Sequence, residues 1–203
     1  MMATTHALAG ALAGVVTLAV APELAPVALV AGAAGGAFPD LDLYYGHRRT
    51  LHFPVYGSLA ALAALAAAVL SPGAGTVALA AFLGAAACHA ASDALGGGLE
   101  LRPWEGTSER AVYDHFRGMW LRPRRLVRYD GAPEDAALGV VLAVPTVVAF
   151  GPPVETVVGI ALALSIGYAL LRKPMVALAE FVVARLPDSV SGVLPERFVA
   201  DLQ

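Results

Sequence analysis

A single cysteine, Cys88, stands in 203 residues. An intramolecular disulfide and a thiolate-rich zinc site are therefore excluded, and any metal must be held by nitrogen and oxygen. Charge is scarce too: 14% of the residues are Asp, Glu, Lys or Arg, against about 25% in an ordinary soluble domain. With 58% hydrophobic residues and a mean hydropathy of +0.70, the chain reads as a polytopic membrane protein and no room is left for a separate soluble domain. The first apolar run has no basic segment ahead of it and no small-residue cleavage site after it. It is expected to be a retained helix, not a removed leader.

What is present is a series of apolar runs, over 7–21, 24–38, 53–70, 75–95, 136–150 and 154–171. These predict an all-α membrane bundle of about six helices in one domain. Residues 1–95 form a four-helix core, 96–135 a charged loop, and 136–203 two helices and a tail. The first two runs are short for a hydrocarbon core of about 30 Å. Pro22-Glu23, Ser71-Pro72-Gly73 and Gly151-Pro152-Pro153 end their helices by lost donors or permissive backbone and carry no Lys or Arg. The basic residues lie in the other connections, at Arg48 and Arg49, between Arg102 and Arg128, and at Arg172, Lys173, Arg185 and Arg197. Six alternating helices would place all of them on one side, which is the cytoplasmic face of the inner (plasma) membrane by the positive-inside rule. The many Ala and Gly residues are expected at close helix contacts.

The same topology gathers the ionisable residues. His6 opens the first helix, Asp40 and Asp42 follow the second, His47 and His52 precede the third, and His89 with Asp93 closes the fourth. His89 and Asp93 are four apart, so imidazole and carboxylate share one helix face. Alone, Pro39-Asp40-Leu41-Asp42 is an ordinary turn, and the segment from His47 to His52 a basic stretch meeting anionic lipid. Together they form a pool of His and Asp ligands suited to a divalent metal, with zinc the first expectation and manganese or iron the alternatives. The expected ligands are His6, Asp40, Asp42, His52, His89 and Asp93. Arg48 or Arg49 could clamp a substrate oxyanion, Asp42 or Asp93 could act as base, and His47 as ligand or proton shuttle. His6 with the Asp40/Asp42 pair, and His52 with the His89/Asp93 pair, each span one hairpin, which suggests a duplicated unit.

In this order the residues resemble the membrane-bound metal-dependent hydrolases, also described as LexA-binding, inner-membrane-associated hydrolases. That family's pattern has an early His, Pro-Asp-x-Asp, a His-Arg loop ending in Thr-His-Ser, and a helical His-x-x-x-Asp before a turn containing Gly and Pro. The matching residues are His6, Asp40 with Asp42, His47 with Arg48 and His52, and His89 with Asp93, then Gly96, Gly97 and Pro103. The likeness covers roughly the first 125 residues. Leu51 stands where the family usually has Thr, and Phe53 where it has Ser, so a hydroxyl that orients a ligand is missing or shifted to Thr50. The resemblance implies a membrane-bound, metal-dependent hydrolase.

In the loop, Trp104, Tyr113, Phe116, Trp120 and Tyr129 are interleaved with arginines, as in interfacial helices lying against headgroups. Nucleic-acid binding is the competing reading, and Glu105, Glu109, Asp114 and Asp130 count against it. His115 is expected to be structural, and the tail after Lys173 to be a further surface-lying helix. The expected activity is hydrolysis of a lipid ester or phosphoester by a metal-activated water, with membrane lipids as partners. A metal-stabilised structural or interaction protein is the alternative. A transporter ranks last, because little beyond Thr17, Ser58, Thr146 and Ser165 is polar at mid-depth.

Overall fold

The computed structural model describes residues 1–186. It contains six α-helices: α1 (Ala3–Val20), α2 (Ala25–Ala37), α3 (Pro54–Leu70), α4 (Ala74–Ser92), α5 (Pro133–Phe150) and α6 (Pro152–Val183). Among the described residues five segments are long and apolar enough to cross a membrane: α1, Pro22–Leu43 including α2, Ala74–Leu95 including α4, α5 and α6. α3 is apolar but shorter, at 17 residues. Proline sits in the first turn of α2, α3, α5 and α6, where its missing N–H costs nothing. Gly151, at φ +71°, makes the left-handed turn between α5 and α6.

α1 and α2 form a hairpin, α2 packs on α4, α4 on α3, and α5 closes on α1 with α6 beside it. Backbones meet where side chains are absent. A Cβ on Gly10 would collide with the Gly32 carbonyl, and one on Gly32 with the Gly10 carbonyl. Gly10→Leu is therefore expected to force α1 and α2 apart, at about 1–3 kcal/mol or more for overpacking. A detergent-solubilised variant that melts with the wild type would contradict this packing. Between α1, α5 and α6 a small apolar core forms from Leu8, Ala143 and Val158.

Two expectations change. The loop between α4 and α5 carries no α-helix; after a short 3-10 turn over Asp93–Leu95 its regular structure is a hairpin of β1 (Val112–Asp114) and β2 (Met119–Leu121), with Tyr113 opposite Trp120. Asp114 makes its turn by accepting from the Phe116 and Arg117 amides, and Gly118 closes it at φ +68°. The second change is in α6, which does not stop near Leu171 but runs through Pro174 to Val183. Flanking groups can make up the single hydrogen bond a proline removes from an apolar helix. The remainder of the expected tail helix lies outside the described residues.

Candidate metal centre

The end of α2 splits the two aspartates of the Asp-x-Asp pair. After Ala37 the chain tightens into a 3-10 helix over Phe38–Tyr44. With three residues per turn, side chains two apart are rotated by about 240° and point to different sides. Asp40 turns inward toward α4, while Asp42 turns toward the following loop.

Asp42 becomes the hub of that loop. Its Oδ1 faces His47 Nδ1 at 3.1 Å and accepts the Arg48 amide at 3.2 Å. Its Oδ2 accepts the Leu51 amide at 3.0 Å and faces His52 Nδ1 at 3.0 Å. Four donors occupy the carboxylate, and the side chain is buried. Arg48 is held in the left-handed region at φ +58°, an uncommon state for a residue with a side chain.

Asp40, His52, His89 and Asp93 bring one ligand atom each to within 4.8 Å of one another. His52 Nε2 lies 3.2 Å from His89 Nε2 and 3.2 Å from Asp93 Oδ2. His89 Nε2 lies 3.4 Å from Asp93 Oδ2 and 3.4 Å from Asp40 Oδ1. Ligands about 2.0–2.1 Å from a tetrahedral ion are separated by about 3.3 Å, the edge of the tetrahedron. These four spacings match that edge, while Asp40 stands farther from His52 within the 4.8 Å span of the group.

Both imidazoles are also turned correctly for a cation. His52 Nδ1 points at Asp42, and His89 Nδ1 donates to the Gly36 carbonyl at 2.5 Å. A neutral ring that donates from Nδ1 carries a bare lone pair on Nε2. Two such lone pairs and two carboxylate oxygens then converge, an arrangement that repels itself unless a positive charge lies among them. Burial opposes a charge on His52, but hydrogen bonds to Asp42 and Asp93 outweigh it and raise its affinity for a proton. The cluster can hold a divalent ion.

The other predicted residues surround this group. His6 is stacked on His89, with ring centroids 3.6 Å apart, and its Nε2 lies 3.2 Å from Asp93 Oδ1. Arg48 is buried; its Nε faces Asp93 Oδ2 at 3.3 Å without hydrogen-bond geometry, and its Nη1 donates to the Gly97 carbonyl at 2.7 Å. Arg49 instead lies over the Tyr113 ring, 4.6 Å from its centroid. His115 stacks on Phe53 and donates from Nε2 to the Arg49 carbonyl at 2.6 Å, away from the four-donor cluster.

Three further contacts that the sequence does not announce support the site. The β-hairpin clamps the loop that carries Arg48, because the Tyr113 amide donates to the Arg48 carbonyl at 2.9 Å. Beyond it, the amides of Arg124 and Leu126 donate to the Ala94 and Leu95 carbonyls, both at 2.9 Å, and so pin the turn after Asp93. Asp135 is buried and ties α5 to the start of α1, accepting from the Met2 amide at 2.7 Å and the Thr5 hydroxyl at 2.8 Å.

A cavity of about 640 Å³ opens beside the cluster, with Asp40, His47 and Arg48 in its wall. Asp40 is 21% exposed while the other three donors are sealed, so the cluster has one open side. No protein-family model, curated protein or solved structure matches this chain.

Proposed function

We propose that the protein is an integral membrane hydrolase acting on an ester or phosphoester of a lipid or lipid-linked molecule. It would use a divalent metal held by Asp40, His52, His89 and Asp93, zinc first and manganese or iron as alternatives. The observation that carries this reading is the meeting of two imidazole Nε2 atoms and two carboxylates within 4.8 Å of one another, with four of the spacings at 3.2–3.4 Å. A bound divalent ion supplies a water acidic near neutral pH and a Lewis acid for the scissile group.

The chain's own residues support the remaining steps. Asp40, on the open side, leads from the cavity to the cluster. Arg48 keeps a positive charge beside Asp93, where negative charge would develop on a substrate oxygen. His47 stands on the cavity wall with Nδ1 directed at Asp42, which leaves its Nε2 for proton transfer. Of the carboxylates considered as base, Asp42 has four donors upon it and Asp93 faces Arg48 and His6. The proton-handling role therefore falls to His47.

We place the site at the cytoplasmic face of the inner membrane, because Arg48, Arg49 and the arginine-rich loop lie at its end of the bundle. The motif order supports membership of the membrane-bound metal-dependent hydrolases named above. One observation favours the structural alternative: four protein donors can by themselves fill a tetrahedron. The test is metal analysis of the purified protein with a screen over phospholipids and p-nitrophenyl phosphoesters. The hydrolase reading expects about one divalent ion per chain and hydrolysis that chelation abolishes and metal restores. Bound metal with no turnover across the panel would favour the structural role.

A further inference from the structure

The cavity contains a charge that the proposed chemistry does not use. Glu100 lies in its wall, and both of its carboxylate oxygens are shut off from solvent with no hydrogen-bond partner. The carboxylate is folded back over Gly98, where any side chain would collide with Oε2. Arg172, in the α6 part of the wall, is already committed, since it donates to Asp130 at 3.2 Å and Asp130 also accepts from Tyr168 at 2.5 Å. A buried carboxylate without donors is costly unless a donor arrives with a ligand.

Arg48 lines the same cavity, buried, with its Nε 3.3 Å from Asp93 Oδ2 but making no hydrogen bond. The cavity thus presents a cation beside the cluster, ion-paired with Asp93 but with its Nε donor unused, and a carboxylate without donors. The wall also includes Leu43 and Leu164, both exposed. An apolar chain could therefore enter from the lipid. We propose that this cavity binds an aminophospholipid, with its phosphate toward Arg48 and the cluster and its primary ammonium on Glu100. The inference rests on the hydrolase reading for the orientation of the phosphate, but the ammonium site rests on Glu100 alone.

The test measures binding and not turnover. Purified full-length protein in detergent is titrated with phosphatidylethanolamine, phosphatidylcholine and phosphatidylglycerol and followed by native mass spectrometry. The wild type should prefer phosphatidylethanolamine by about tenfold or more, the scale of one charge-assisted hydrogen bond. Choline lacks an N–H to donate, and glycerol lacks the positive charge. Glu100→Gln should erase the preference with metal content unchanged, and Glu100→Asp should reduce it. Metal content reports folding of each variant. Equal binding of the three lipids by the wild type, or a preference that survives Glu100→Gln, overturns the proposal. A Glu100-dependent preference in a protein that hydrolyses nothing would keep this inference and remove the hydrolase; metal-dependent hydrolysis without that preference would do the reverse.

Discussion

Replacing His89 by alanine is expected to weaken divalent-metal binding by more than about a hundredfold. Outer hydrogen-bond partners of a ligand are commonly worth about 10–100-fold in affinity, and a direct ligand is worth more. His89 contributes three things at once: an Nε2 within 3.4 Å of both carboxylates of the cluster, an Nδ1 that satisfies the Gly36 carbonyl, and a face for the His6 ring. Alanine removes the first and leaves a buried carbonyl without its donor. Two carboxylates would then approach each other with one imidazole between them. Metal analysis of the variant after dialysis reads the outcome, with circular dichroism to confirm that the helices persist. Full metal content in a folded His89→Ala protein would dismantle the four-donor centre. If the wild type itself binds no divalent ion, the cluster is held by protons alone.

The sequence made the bundle legible because apolar runs and their Pro and Gly punctuation record helix length directly. It also made the gathering of His and Asp legible, since alternating helices send their ends to one face. The division of labour within Asp-x-Asp was hidden. It depends on the switch from α to 3-10 winding after Ala37, which a pattern of two carboxylates does not announce. The loop's hairpin was missed for a different reason. The aromatics and arginines in it drew attention to an interfacial helix, while Val112-Tyr113 and Met119-Trp120-Leu121 around the Asp114 and Gly118 turn carried a strand signal. α6 outlasted the expected end because the apolar run stops at Leu171, before Arg172 and Lys173, whereas the helix continues through them and through Pro174.

Asp42→Ala is expected to cost more stability than loss of any single proposed ligand, although Asp42 is outside the four-donor group. Its carboxylate gathers two imidazoles and two amides, from His47, Arg48, Leu51 and His52, into a loop of nine residues, 45–53, that has no regular helix of its own. Removing one partner from a buried, charge-assisted network costs about 3–5 kcal/mol, because the remaining donors are stranded. The Arg48 backbone, at φ +58°, would lose one of the bonds that hold it there. His52 would lose the acceptor that fixes its Nδ1, so its Nε2 would no longer be presented to His89 and Asp93. A large drop in melting temperature should therefore accompany a loss of metal affinity. Asp42→Asn separates the two effects: the amide oxygen can still accept, but its NH₂ meets two donors. It should restore part of the stability and little of the metal binding. If Asp42→Ala lowers metal content with no change in melting, Asp42 is itself a ligand and the loop does not depend on it.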